Sequence, residues 1–214
     1  MKKTVLFVMA LCLGLNLMAQ EKEPFCCVKQ GAELKYVTTD AKGNETGTST
    51  TKVTAAAGSD GNYNIAMTIT LYVNGNQMFN PMNVTTTVTD GNASVALGGG
   101  AAIEMTTDVP LIPARLAVGL ELGTGSIVMN MGGIKTTQEI HTHKVVGREQ
   151  LTTPAGTFDC YIVEQTYTAK MAFIKAKGSQ KVWYARGIGN VKTETYDKRG
   201  KLSTQQILVS ATGL

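Results

Sequence analysis

From Tyr63 to Val73 every second residue is apolar: Tyr63, Ile65, Met67, Ile69, Leu71 and Val73, with Asn64, Ala66, Thr68, Thr70 and Tyr72 between them. Side chains alternate faces along a strand, so this period predicts one apolar face and one threonine-rich, wetter face. Asn74-Gly75 follows at once, a strong hairpin signal because both central residues of a type I′ turn need positive φ. A two-residue loop there opposes Val73 to Asn76, then Leu71 to Met78, Met67 to Met82 and Ile65 to Val84. Ile65, Met67, Ile69, Leu71, Met78, Met82 and Val84 then share a face. Asp90-Gly91 repeats the device and opposes Val88 to Ala93, Thr86 to Val95 and Val84 to Leu97. Val84 points the same way in both hairpins. A slip of one residue would reverse every side chain, so this agreement supports the register. Pro81 cannot donate to the ladder, which predicts a bulge or interruption beside it.

Other turns extend the pattern. Val53, Ala55 and Ala57 fall opposite Met67, Ile65 and Tyr63 if Ser59-Asp60-Gly61 is a three-residue loop with Gly61 left-handed. Asp40-Ala41-Lys42-Gly43 and Asp197-Lys198-Arg199-Gly200 read as four-residue loops ending in a left-handed glycine. The segment 109–122, with Pro110 and Pro113, predicts a short helix or ordered loop over an open end of the sheet. No long helical period appears after residue 20. The pattern describes an all-β domain of about ten strands joined by tight hairpins.

Ahead of it, Lys2 and Lys3 precede an uncharged apolar run from Thr4 to Leu17. Such a run suits an export signal and is shorter than the ~20 apolar residues of a membrane-spanning helix. Cleavage is expected after Ala19, making 1–19 a signal peptide, 20–30 an N-terminal extension and 31–214 one domain. Leu11 before Cys12 and Phe25 before Cys26 lack the small residue that lipoprotein processing needs. With no transmembrane segment expected in the mature chain, the destination is the periplasm or surface of a Gram-negative-type cell. Cleavage removes two of the 20 basic residues and none of the 16 acidic ones, leaving 18 against 16. That balance lacks the clustered basic face of a nucleic-acid binder.

Three cysteines follow the cleavage point: Cys26, Cys27 and Cys160. An oxidising compartment permits a disulfide, and a bridge between adjacent Cys26 and Cys27 would strain the peptide joining them. Cys160 is therefore expected to pair with one of the two, which one being open. Glu139, His141 and His143 fall on one face of an expected strand. Two histidines at i and i+2 can share a zinc ion with a carboxylate in support. The chain holds only two histidines, so a solvated polar face beside Thr136, Thr137 and Thr142 is the stronger expectation, and neither metal nor cofactor is expected. No Gly-x-Ser-x-Gly elbow is present, and Gly187 and Gly189 lie in no strand-to-helix unit that would cradle a dinucleotide. An enzyme is the poorest fit.

Two segments are more specific. Pro154-Ala155-Gly156-Thr157-Phe158-Asp159-Cys160 reads as a tight turn opening a strand. Trp183-Tyr184-Ala185-Arg186-Gly187-Ile188-Gly189-Asn190-Val191-Lys192 reads as strand, glycine bend, strand, where backbone and ring approach closely. Together they resemble an exported bacterial family known as domain of unknown function three-thousand-one-hundred-eight. The resemblance implies a single curved antiparallel meander sheet or half-barrel, similar in kind to periplasmic lipoprotein carriers, and it brings no catalytic residues. The expectation is a non-catalytic envelope protein whose apolar face holds a lipid or other small apolar ligand. A structural or protein-interaction module with an envelope partner is the alternative.

Overall fold

The computed structural model describes residues 22–78, 80–97, 103–109, 112–131 and 134–214; the expected signal peptide lies outside them. Its strands are β1 (Glu33–Asp40), β2 (Glu45–Ser59), β3 (Asn62–Val73), β4 (Asn76–Gln77), β5 (Met82–Thr89), β6 (Asn92–Leu97), β7 (Ile103–Thr107), β8 (Gly125–Met131), β9 (Ile134–Thr153), β10 (Gly156–Met171), β11 (Ile174–Ala185), β12 (Gly189–Asp197) and β13 (Leu202–Thr212). They form one antiparallel sheet in the order β6-β5-β3-β2-β1-β13-β12-β11-β10-β9-β8-β7, with β4 paired to β3. The sheet is open and curved like a half-barrel, and from residue 23 on no described residue is helical. The thirteen strands exceed the ten expected, partly because β4 is a two-residue piece cut from β5 by Pro81.

The turns follow their chemistry. Asp60, Asn74 and Asp90 have φ near 50°, and each precedes a glycine with φ near 80°, the type I′ signature. Val88 faces Ala93, Thr86 faces Val95 and Val84 faces Leu97, as the sequence predicts. Beside Pro81 the register moves by two residues: Met82 faces Ile69 and Val84 faces Met67, not Met67 and Ile65. A shift of two preserves the face. At the β2–β3 turn the loop is two residues long, not three, and Ala56 faces Ile65. A bulge at Thr54 then restores the expected Val53–Met67 pair. The turns after Asp40 and Asp197 carry left-handed glycines as expected, Gly43 with φ 84° and Gly200 with φ 74°. Each aspartate's Oδ1 accepts two backbone N–H groups, from Lys42 and Asn44 and from Arg199 and Lys201. The Asn44 side-chain amide, donating to Asp40 Oδ2 at 3.0 Å, and then the backbone bonds hold the Asp40 carboxyl below the usual range. For Asp197 the backbone bonds from Lys201 and Arg199 come first in doing so.

Two added segments complete the core. Residues 23–28 run along the β11–β12 bend, where Gly187 N–H donates to Pro24 O at 2.9 Å and Arg186 Nη1 to Glu23 O at 2.6 Å. A Cβ at Gly189 would sit 3.3 Å from Phe25 O, so the glycine bend exists because another backbone passes over it. The described residues between β7 and β8, 108–109 and 112–124, form an ordered loop without a helix. It is tied to β9 through Gly119 N–H to Val145 O, Val145 N–H to Leu120 O and Leu122 N–H to His143 O. Its Ala114 N–H reaches across to Asn92 Oδ1 at the β5–β6 turn.

That crossing leaves no room at Gly91, where a Cβ would lie 2.5 Å from Ala114 Cβ and 2.9 Å from Lys22 O. Gly91→Ala should destabilise by about 1–3 kcal/mol. Gly75→Ala has the same left-handed backbone with nothing within 4 Å, so it carries only the conformational cost. Urea denaturation of the pair checks this, and equal midpoints would contradict the close packing of loop, turn and N-terminal segment.

Candidate functional site

Directly opposed residues share a face. Gln165 faces Gln180, Thr193 faces Gln206, and Gln206 faces Thr38. Gln165 Nε2 donates to Gln180 Oε1 at 2.7 Å, Gln180 Nε2 to Thr195 Oγ1 at 3.2 Å, and Gln206 Nε2 to Thr38 Oγ1 at 3.4 Å. The inner face therefore carries a row of amides and hydroxyls across the middle of the sheet. Beside it Leu116 and Leu122 of the β7–β8 loop pack with Phe25, Val145 and Val163. Between loop and sheet lies a cavity of about 450 Å³. Val109, Ile112, Ile127, Val163 and Val182 give it apolar walls, and Gln165, Gln180, Gln206, Asn190 and His143 supply polar groups.

The face chosen from sequence lies elsewhere on this inner side. Ile65 and Val84 are buried core, Met67, Ile69, Leu71 and Met82 are half-buried, and Met78 is 49% exposed at the hairpin tip. None of them lines the cavity. The cavity residues carry a signal of their own: amides alternate with valines at inward positions of β10 and β11. Apart from Val109 and Ile112 of the loop, they come from β7 to β13, successive strands that must stack side by side before the residues meet.

Glu139, His141 and His143 do not share a face. A bulge at His141, between the Thr142–Thr166 and Ile140–Tyr167 pairs, breaks the alternation. His143 turns inward and is 7% exposed, whereas His141 faces out and meets Thr168 Oγ1 at 2.8 Å. Glu139 is bonded to Lys170 Nζ at 2.5 Å. No cluster of three metal-ligating side chains occurs among the described residues.

The bridge expected from Cys160 to Cys26 or Cys27 is not formed here. All three cysteines are free thiols, with Cys27 and Cys160 in one buried cluster and Cys160 Sγ donating to Phe158 O at 3.6 Å. They pack as small hydrophobes. Burial pushes the Cys26 and Cys160 thiols up to about 12, which suppresses the thiolate that nucleophilic chemistry needs.

Both specific segments meet at a second cleft, of about 540 Å³, lined by Thr157, Phe158, Asp159, Ala185 and Arg186 with Arg148 and Tyr161. Its guanidinium groups stack: Arg148 lies 5.3 Å from the Tyr161 centroid and Arg186 4.6 Å from that of Phe25. Trp183 Nε1 donates to Glu149 Oε1 at 2.6 Å, and Lys192 Nζ lies 4.6 Å from the Trp183 centroid. These residues fasten strands β9 to β12 to each other and to the N-terminal segment.

A single curved antiparallel sheet roofed by an ordered loop defines a β half-barrel protein. The DUF3108-like family model matches residues 29–208, and the chain belongs to that family. Two solved structures share the fold. One, named as an exported protein with a YmcC-like fold from Bacteroides fragilis, has a TM-score of 0.77 at 20% identity and covers 89% of this chain and 99% of its own. The other, named as a lipoprotein from Parabacteroides distasonis, has a TM-score of 0.76 at 18% identity with the same coverages. No curated protein matches the chain in sequence.

Proposed function

We propose that this is a non-catalytic exported protein of the bacterial envelope that holds one small amphipathic ligand in its half-barrel. The observation that carries the reading is the half-open cavity of about 450 Å³ between the β7–β8 loop and the sheet, with apolar walls and a band of amides, a volume ordinary for small-molecule sites. The export signal read from residues 1–19 supports the location. None of the described residues lining the cavity is charged, so among them a carboxylate or phosphate ligand would find no counter-charge.

Two acceptors refine the ligand. Asn190 Nδ2 donates to Thr193 Oγ1 at 2.8 Å, leaving its buried Oδ1 without a protein partner. His143 bonds the Gly123 backbone, burial holds its pKa below the usual imidazole value, and its Nδ1 has no protein partner. A neutral imidazole nitrogen and an amide oxygen both await donors. The ligand class is a neutral amphiphile bearing hydroxyl or amide N–H groups.

Native mass spectrometry of protein purified gently from its own envelope should reveal such a bound molecule. In titrations glycerol monolaurate should bind at least about tenfold tighter than laurate, the scale of an unmatched buried polar group. Protein that leaves the envelope bare and binds neither probe would count against carriage. Equal binding of laurate would retain carriage and remove the preference for neutral ligands.

A further inference from the structure

Three two-residue hairpin turns among the described residues use Asp-Gly or Asn-Gly; the β9–β10 turn uses Pro154-Ala155, and the β10–β11 turn uses Ala172-Phe173. Met171 faces Ile174 across Ala172-Phe173, and Ala172 takes a left-handed φ of 50° without being glycine. Left-handed backbone disfavours a side chain, so this turn carries a local conformational cost that an Asp-Gly or Asn-Gly pair would lessen. What it presents is Phe173, at 104% relative exposure, with Ile174 at 63% and Met171 at 43%. The neighbouring β8–β9 tip adds Ile134 at 55%, two residues beyond Thr136, which faces Met171. Four large apolar side chains thus project from adjacent tips at one end of the sheet. Such a group is unusual on a water-facing surface.

The surrounding charge identifies what covers it. Lys170 faces Lys175, Lys177 faces Thr168, and Lys135 follows Ile134. Lys135, Lys175 and Lys177 are exposed, and Lys170 is ion-paired with Glu139. An apolar wedge behind a collar of lysines matches the two layers of an anionic bilayer surface, where acyl boundary lies beneath negative headgroups.

We propose that the β10–β11 tip, with Ile134 beside it, docks this protein on anionic lipid membranes by inserting Phe173 and Ile174 below the headgroups. The docking site is separate from the cavity and stands whether or not the cavity is filled.

Co-sedimentation of the full chain with vesicles tests it. Vesicles of phosphatidylglycerol and phosphatidylcholine should bind the protein, and phosphatidylcholine alone should bind it far less. Phe173→Ser should weaken binding about tenfold with no change in thermal midpoint, because the ring is wholly exposed. Lys175→Gln with Lys177→Gln should remove most of the salt-sensitive part of the binding. Phe173→Trp should bind like the parent, and brominated lipid should quench its fluorescence. Failure to bind the anionic vesicles, or unchanged binding by Phe173→Ser, would overturn the proposal. So would a Phe173-dependent dimer in their absence, which would assign the wedge to a second copy of the chain.

Discussion

Val84→Asp is expected to unfold the domain, whereas Thr85→Asp, one residue along, leaves its stability within about 1 kcal/mol of the parent. Val84 is buried on the inner face, opposite Met67 on one side and Leu97 on the other. Thr85 is exposed on the outer face. A carboxylate at position 84 would be buried beside apolar neighbours, costing upwards of about 4 kcal/mol or forcing it to stay protonated. The linkage has a definite sign. Burial raises this carboxyl's folded pKa above its unfolded value, so the penalty is present above the folded pKa. It eases as pH falls through that pKa toward the unfolded one. Circular dichroism across pH for both variants checks the prediction. Equal losses at 84 and 85 would mean that both faces of β5 are core.

The second large effect is expected at Phe25, which precedes the first strand. Its ring is buried, meets Tyr161 edge-on at 5.8 Å, lies beneath Arg186 at 4.6 Å, and packs with Leu116, Leu122 and Val145. Phe25→Ala removes the side chain that joins the N-terminal segment, the roofing loop and the inner face. A loss of about 3–5 kcal/mol is expected, as for a large ring deleted from a core. Phe173→Ala, at the exposed tip, should change the urea midpoint little. A small effect at Phe25 would mean that the N-terminal segment is an appendage, which its backbone bonds to Gly187 and Arg186 contradict.

What the sequence makes legible here is local. Asn74-Gly75 and Asp90-Gly91 identify their turns because positive φ selects those residues, and the alternation of β3 and β5 gives the correct faces. The errors occur where an extra residue enters a strand. Thr54 and His141 carry no side-chain signature of a bulge, yet each reverses the alternation, and the one at His141 separates His143 from its expected partners. The length of the break at Pro81 depends on how β5 fits against β3, which Pro81 alone does not encode. The candidate site was harder still. Gln165, Gln180, Asn190 and Gln206 look like ordinary polar strand positions until three successive hairpins bring them side by side. Methionines in a plain alternating strand gave the louder signal and marked ordinary core and hairpin tip instead.

The strand order carries a consequence for how the chain acquires its shape. Glu33 pairs with Thr212 at the centre of the sheet, and the two outermost strands, β6 and β7, are consecutive in sequence. The connectivity is a ring of hairpins with one long-range pair, β1 with β13, at its middle and no pairing between β6 and β7. A Cβ on Gly213 would lie 3.1 Å from Gly31 O, so the start of β1 and the end of β13 lie side by side. A linker from Leu214 long enough to reach residue 22 would close the ring without displacing residues 23–28. A circular permutant opened between residues 97 and 103 would pair each strand mainly with its sequence neighbours. It would trade the entropically costly central closure for a local turn and fold faster for it. In the order β1 to β13 the central β1–β13 pair must wait for the last of these strands, so it is the final pair that a chain made from its N-terminal side can close.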